Sequence, residues 1–161
     1  MAGARHSGAA AGGHRHAAGP GRDRLVSAAV PLRIAGYAAL FDRVDGARDT
    51  IRPGAFARTL AQRREALPLF WQHSPARRIG WVEQLGEDTR GLRVVARIDN
   101  PQDRAAKLLR ERAVSGLSFG YRARAFRQTP QGRELADIEL FEVSVVTHPL
   151  QPEARVHFVG V

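Results

Sequence analysis

The sequence predicts an α+β domain, a mostly antiparallel β-barrel or sandwich with a few short helices. Strand-like apolar segments outnumber helical ones, and strands and helices do not alternate as a doubly wound parallel sheet requires. The chain has 161 residues, of which 43% are hydrophobic, and this suits one ordinary domain with a real core. It contains no cysteine, which excludes disulfides, cysteine-bound metals and thiol nucleophiles.

The N-terminal part of the chain differs in composition from the rest. Residues 1–24 are rich in alanine, glycine, arginine and histidine with no apolar period, so we expect a disordered basic tail followed by one folded domain at 25–161. The net charge of +9 would attract nucleic acid or acidic proteins, but only non-specifically. No apolar run has the length of a membrane span, and no membrane contact is expected.

The first elements of the domain are predicted to be strands followed by one short helix. One or two strands lie between Leu25 and Leu40, and a polar loop follows at 41–49. The helix opens near Pro53, since proline suits a first helical turn. The residues expected on its apolar stripe are Ala55, Phe56, Leu60 and Ala61.

The middle of the domain is predicted to be a strand and a β-hairpin. Leu67–Trp71 is a short apolar run typical of a buried strand, and it ends in a polar turn at 72–75. Ile79–Leu85 and Leu92–Ile98 flank a cluster of turn-forming residues, which predicts that the two segments pair.

A second helix and a second hairpin complete the predicted domain. Asp99 or Asn100 can cap the helix, which has Pro101 near its first turn and runs to about Ala113. Alternating apolar residues predict that strands follow it. The expected strands are Leu117–Phe126, Arg133–Val146 and Val156–Val159.

One serine has the spacing of a known nucleophile motif. Gly116-Leu117-Ser118-Phe119-Gly120 matches G-x-S-x-G, the nucleophile elbow. The elbow needs a strand before the serine and a helix after it, whereas here a helix comes first and a strand-like segment follows. Ser118 is therefore either a candidate nucleophile in another setting or an ordinary turn residue.

Other positions could supply the groups that activate a serine, which needs a base and a partner that orients the base. His73 ends an apolar strand at a polar turn, so its ring can lie at a rim, although an ordinary surface histidine is the alternative. Glu142 interrupts an apolar strand and alternates onto one face with Ser144, either as a paired carboxylate or in a solvent-facing polar stripe. His148 is a turn residue or a second catalytic imidazole.

Several segments together resemble one protein family. They are Gly36-Tyr37-Ala38 with Phe41, Arg52-Pro53-Gly54-Ala55-Phe56, Gln72-His73 with Ile79-Gly80, Gly91-Leu92, Gly116–Tyr121, and Leu140–Val146 with Pro149. In order and spacing they resemble the prohead proteases of tailed phages, the type found in HK97-like viruses. The resemblance runs from about Ile34 to Val156, and it is the combination of segments that is specific.

The resemblance implies a serine endopeptidase with a herpesvirus-assemblin-like barrel. Such an enzyme works in the bacterial cytoplasm inside the immature capsid, or prohead, where it removes scaffolding segments of the major capsid protein and often cleaves itself. Self-association is left open, and no metal or organic cofactor is implied. A gene transfer agent or a prophage could carry this compact form as well as an active phage.

The resemblance also implies roles for individual residues. Carried over by position, Ser118 is the nucleophile, His73 is the general base and Glu142 is the third member. Assemblin-like enzymes use a second histidine as third member, so His148 is the rival for that role.

Two other functions are compatible with the sequence. A non-catalytic capsid-assembly or scaffold-binding protein could keep the same fold, but the intact Ser118 and His73 favour the enzyme. A small nucleic-acid-binding barrel would gather aromatic and arginine side chains on one strand face. A weak version of that pattern is formed by Tyr121, Arg122, Arg124 and Arg127, and aromatic residues are 7% of the chain.

Overall fold

A computed structural model describes residues 30–161, and the tail predicted at 1–24 lies outside the described residues. The elements in chain order are β1 (Leu32–Leu40), β2 (Asp49–Ile51), α1 (Ala57–Gln62), β3 (Leu67–Trp71), β4 (Ser74–Glu87), β5 (Gly91–Ile98), α2 (Arg104–Arg110), β6 (Gly116–Thr129), β7 (Gly132–Val146) and β8 (Val156–Gly160). This mostly β content with short helices confirms the predicted α+β class. Strand β2 begins at Asp49, the last residue of the segment that was expected to be loop.

The strands form one curled sheet in the order β2-β7-β3-β4-β5-β1-β8, and β6 pairs with β7. Strand β6 runs antiparallel along one edge of β7, while β2 and β3 run parallel to β7 at the two ends of its other edge. The sheet curls until Gly116 at the start of β6 bridges to Arg155, just before β8. The remaining pairs are antiparallel, which confirms the predicted barrel-like arrangement.

The core lies inside the curl because alternate strand residues point inward. In β5 the inward set is Leu92, Val94, Ala96 and Ile98, each at most 2% exposed. Phe56, which is fully buried, packs edge-on against Phe119 with ring centroids 5.5 Å apart. This contact fixes the loop before α1 against the strand that carries Ser118.

Helix α1 begins at Ala57, later than the predicted start near Pro53. Residues 53–56 form a turn, so proline there precedes the helix and does not open it. The later start also changes the buried face: Thr59 is buried and Ala61 is exposed. The Thr59 hydroxyl accepts a hydrogen bond from the Leu140 backbone N–H at 3.2 Å, which pins the helix to β7.

Helix α2 begins at Arg104 and ends at Arg110, so the predicted caps Asp99 and Asn100 are wrong. Asp103 is the N-cap, and its carboxylate accepts from the Ala105 backbone N–H at 2.7 Å. The segment between Asn100 and the helix is a turn. Within residues 30–161, no helix is long and apolar enough to cross a bilayer.

Candidate active site

A two-residue turn between β3 and β4 carries His73. Trp71 pairs with Ser74, so Gln72 and His73 are the turn residues, with φ angles of 53° and 58°. Two positive φ values are typical of a type I′ hairpin turn, where Asn-Gly is the preferred pair. Because neither residue here is glycine, each costs on the order of 1 kcal/mol of backbone strain.

Strand β7 and the residue after it hold this strained turn in place. The Gln72 backbone N–H donates to the Val145 carbonyl at 2.9 Å, and the Gln72 side-chain oxygen accepts from the Thr147 N–H at 3.3 Å. The His73 backbone N–H donates to the Ser144 hydroxyl oxygen at 3.2 Å. The imidazole is therefore positioned by contacts with one strand that is distant in sequence.

Ser118 lies within β6, where it pairs with Ser144 across the β6–β7 ladder. The alternative of an ordinary turn serine is therefore wrong, and the elbow architecture is absent as expected. The flanking glycines instead allow close packing onto β7. A Cβ at Gly120 would lie 2.7 Å from Glu142 Oε1, and a Cβ at Gly116 would lie 2.5 Å from the Val146 carbonyl oxygen.

The hydroxyl, imidazole and carboxylate form one hydrogen-bonded line. His73 Nε2 is 3.0 Å from Ser118 Oγ, and His73 Nδ1 is 2.6 Å from Glu142 Oε1. An N–H at Nδ1 that donates to the carboxylate leaves the lone pair of Nε2 facing the hydroxyl. In this tautomer, His73 Nε2 can accept the proton of the Ser118 hydroxyl, at the exposed rim of the site.

Glu142 is buried and its carboxylate is satisfied by hydrogen bonds. It is 7% exposed, and its second oxygen, Oε2, accepts from the Ser144 hydroxyl at 2.6 Å. Ser144 itself is fully buried. The alternative of a solvent-facing polar stripe is therefore wrong, and it is the neighbouring Phe141 that is 51% exposed. Alternation placed Ser144 beside Glu142, but the sequence did not indicate its contact with His73.

His148 is placed outside this line of contacts. Its exposed ring lies against Thr147, with Nδ1 3.0 Å from the Thr147 hydroxyl oxygen. Among the hydrogen bonds of residues 30–161, it is Glu142 and not His148 that reaches the Nδ1 atom of His73.

A small, mostly apolar pocket opens beside Ser118. Its walls come from β1, β2, β6 and the segment before β8, and its apolar lining residues are Ala38, Ile51, Leu117, Phe119, Leu150 and Ala154. A pocket next to a candidate nucleophile can receive a side chain of a bound substrate. In the part of the chain that the structure describes, no group of three or more His, Asp or Glu side chains could hold a metal ion.

Comparison with known families identifies the chain. A family model described as caudovirus prohead serine protease matches residues 23–160. The chain belongs to this prohead protease family. It is 32% identical over 128 residues to the prohead protease of Enterobacteria phage HK97, a match that covers 75% of this chain and 57% of that protein.

A second relative is a longer protein, and a solved structure supports the fold. The chain is 29% identical over 123 residues to the capsid polyprotein of Pseudomonas phage PAJU2, covering 70% of this chain and 18% of the polyprotein. The chain thus spans less than two thirds of both relatives. The KSHV protease structure is similar with a TM-score of 0.50 at 17% identity, covering 81% of this chain and 61% of that chain. This likeness confirms the herpesvirus-assemblin-like fold.

Proposed function

We propose that the chain is a serine endopeptidase that cleaves scaffolding segments of the major capsid protein during prohead maturation. The observation that carries the proposal is the line from Ser118 through His73 to Glu142, with contacts of 3.0 Å and 2.6 Å. Membership of the prohead protease family supports a peptidase that works inside the immature capsid. The capsid polyprotein among the relatives supports a capsid protein as the substrate.

In the proposed reaction, Ser118 Oγ attacks the carbonyl carbon of the scissile peptide while His73 Nε2 takes the hydroxyl proton. Glu142 holds the Nδ1–H and stabilises the imidazolium that forms. His73 then gives the proton to the leaving amine, so the C–N bond breaks and an acyl-enzyme remains. A water molecule, deprotonated by the same imidazole, hydrolyses the ester and restores the Ser118 hydroxyl.

The pocket beside Ser118 supports a preference at the cleavage site. Because its lining is mostly apolar, a substrate side chain next to the scissile bond would be held there by apolar contacts. A small apolar residue beside the scissile bond is therefore expected, and acidic residues there should be cleaved slowly because Asp45 also lines the pocket.

The alternative of nucleic-acid binding was suggested by aromatic and arginine side chains of β6, and their contacts do not support it. The Tyr121 hydroxyl donates to Asp49, and both Arg122 and Arg124 pair with Glu139. These side chains are engaged by acidic partners, whereas binding to phosphates needs cations free to face the ligand.

Co-expression with a major capsid protein from the same genome tests the proposal. The full chain and its Ser118→Ala variant are each produced with the capsid protein, and the N-terminus of the capsid protein is read by mass spectrometry. The wild type should give a shortened capsid protein with one new N-terminus, and Ser118→Ala should leave it intact. The new terminus also identifies the residues on both sides of the cleaved bond.

Ser115→Ala is the matched control, because it removes a serine hydroxyl three positions earlier that accepts from Arg155 at 2.9 Å. This variant should process the capsid protein like the wild type. Equal processing by Ser118→Ala, or no processing by a folded wild-type protein, would contradict the proposed function.

A further inference from the structure

Ser144 contacts the backbone of the proposed general base, His73, and the carboxylate that binds its imidazole. Its hydroxyl donates to Glu142 Oε2 at 2.6 Å and accepts from the His73 backbone N–H at 3.2 Å. We propose that Ser144 is a positioning residue that fixes the Glu142 carboxylate against the His73 turn, so that Oε1 stays aimed at Nδ1. This inference rests on the proposed function of the Ser118 site.

The hydrogen-bonding capacity of one hydroxyl matches these two contacts. A serine hydroxyl has one hydrogen to donate and lone pairs to accept, so both bonds form at once. Ser144 has no exposed surface, and water has no access to replace either bond. A hydroxyl that donates to a carboxylate forms a charge-assisted bond, stronger than one between neutral groups.

The contacts of Glu142 show why its orientation needs a second anchor. The terminal torsion of a glutamate is broad, so one hydrogen bond does not fix the plane of the carboxylate. Here Oε1 is hydrogen-bonded to His73 and Oε2 to Ser144, so both carboxylate oxygens are held. The backbone of Gly120 limits the carboxylate on another side, where a Cβ would come within 2.7 Å of Oε1.

The backbone of His73 depends on the same hydroxyl. With a φ of 58°, this residue holds a conformation that non-glycine residues rarely adopt, and such strain persists only where surrounding contacts maintain it. The bond from its N–H to Ser144 is one of those contacts. Loss of the hydroxyl therefore removes one contact that holds the His73 backbone and one that holds the carboxylate beside the imidazole.

A fluorophosphonate probe measures this effect without knowledge of the cleavage site. Ser118 Oγ attacks phosphorus, the O–P bond forms, the P–F bond breaks with loss of fluoride, and His73 takes the hydroxyl proton. The maximal labelling rate, kinact, reports the reactivity of Ser118, and the half-saturation constant, KI, reports probe binding. Ser144→Ala should lower kinact by about 10- to 100-fold, the value of a hydrogen bond to a charged group, with KI near that of the wild type.

Thr59→Val is the matched control for loss of a buried hydroxyl bonded to β7. The Thr59 hydroxyl accepts from the Leu140 N–H at 3.2 Å, and within residues 30–161 it makes no hydrogen bond to His73 or Glu142. Thr59→Val should therefore keep kinact even where it lowers the melting temperature. An equal loss of kinact in Thr59→Val and Ser144→Ala would overturn the positioning role, because general loosening of β7 would then explain both.

A double-mutant cycle separates positioning from stability. If Ser144 acts through the carboxylate, Ser144→Ala should cost much less in a Glu142→Gln background than in the wild type, since interacting residues are non-additive. An equal fold-loss in both backgrounds would overturn the inference. Ser144→Cys is a second variant in case Ser144→Ala does not fold, because it fills the site with a weaker donor, and a folded Ser144→Cys protein with wild-type kinact would also overturn it.

The same measurements distinguish this inference from the function on which it rests. Labelling that is absent from the wild type, or equal in wild type and Ser118→Ala, defeats the proposed function and the inference with it. Labelling that depends on Ser118 but proceeds at the wild-type kinact in Ser144→Ala defeats only the role of Ser144.

Discussion

Asp49 and Glu142 are both buried carboxylates, at 1% and 7% exposure, yet their partners differ in kind. Asp49 accepts two bonds from Arg133, at 2.8 Å and 2.6 Å, and a third from the Tyr121 hydroxyl at 2.7 Å. Glu142 accepts from the Ser144 hydroxyl and the His73 imidazole. The first carboxylate faces a permanent cation, and the second faces a ring that can gain or lose a proton.

The electrostatics of the Asp49 cluster show what a fixed partner does. Burial alone would raise the pKa of Asp49, but the hydrogen bonds from Arg133 and Tyr121 outweigh it and hold this pKa below its ordinary value. Burial, and then the bond to Asp49, raise the pKa of the Tyr121 phenol, which stays a donor. Every proton in this cluster is therefore held in place, and the cluster fastens β2 to β7.

The Glu142 cluster differs because it leads outward to the proposed nucleophile. Its hydrogen bonds pass through His73, whose side chain is 44% exposed, to the Ser118 hydroxyl. Burial of a carboxylate is common to the two clusters and does not distinguish a catalytic group. The proposed catalytic carboxylate differs from the structural one in its hydrogen-bond partner, so substitutions in the two clusters should separate activity from stability.

The largest effect is expected from His73→Gly. Removal of the proposed base should lower the fluorophosphonate labelling rate by roughly 10⁴-fold. The free energy of unfolding should change little, because relief of the strain that histidine bears at a φ of 58° offsets the loss of its hydrogen bond to Glu142. Labelling and urea unfolding of the same preparation measure the two outcomes.

His157→Gly makes the same chemical change at an exposed residue of β8. It should keep the labelling rate but lower stability by about 0.5–1 kcal/mol, since glycine is unfavourable inside a strand. Substantial labelling of His73→Gly would show that the imidazole is not the base.

The next effect in size is expected from Glu142→Gln. The amide cannot stabilise an imidazolium as a carboxylate does and can select the wrong imidazole tautomer, so labelling should slow by roughly 10³-fold. The folded state should persist, because the side chain keeps its shape. Labelling of this variant at the wild-type rate would show that Glu142 has no role in the proposed site.

The equivalent change in the other cluster, Asp49→Asn, should act on stability. It removes the charge that pairs with Arg133, whose side chain is 38% exposed, and this solvent contact limits the loss to about 2 kcal/mol. Labelling should stay close to that of the wild type, which is the reverse of the expectation for Glu142→Gln.

Acidification should remove the difference in the free energy of unfolding between the wild type and Asp49→Asn. The folded-state pKa of Asp49 is depressed below its unfolded value of about 3.9, so its contribution is complete above that pH and is lost as the pH falls through the folded-state pKa. Urea unfolding at neutral and strongly acidic pH measures the effect. A difference that is the same at both pH values would show that charge is not its origin.

The strands were predictable because local patterns determine them. The apolar run Leu67–Trp71 became β3 with the same bounds, and the alternation of 92–98 became β5 with one further residue. Both helix starts were wrong for a shared reason. Pro53 and Pro101 suit a first helical turn, but each lies in a turn that precedes the helix, and in α2 the cap that marks the start is Asp103, two residues after the proline.

The site depended on strand pairings that no local pattern specifies. Ser144 pairs with Ser118 on one side of β7 and with Phe70 on the other, and this register brings three distant segments together. Alternation put Glu142 and Ser144 on one face, but the β3–β4 turn decides that this face is covered. The family resemblance indicated Ser118, His73 and Glu142 together, whereas the residues alone left each with an alternative.

The smallest effect is expected from His148→Ala. The ring is exposed and lies against Thr147, so its removal breaks no hydrogen bond to His73 or Glu142 in the described structure. The assemblin-like pattern of two histidines would predict a large loss of labelling, whereas the contacts of Glu142 predict a rate close to that of the wild type. A labelling rate as low as that of Glu142→Gln would mean that His148 moves to the base when substrate binds, and the third role would then pass from the carboxylate to the second imidazole.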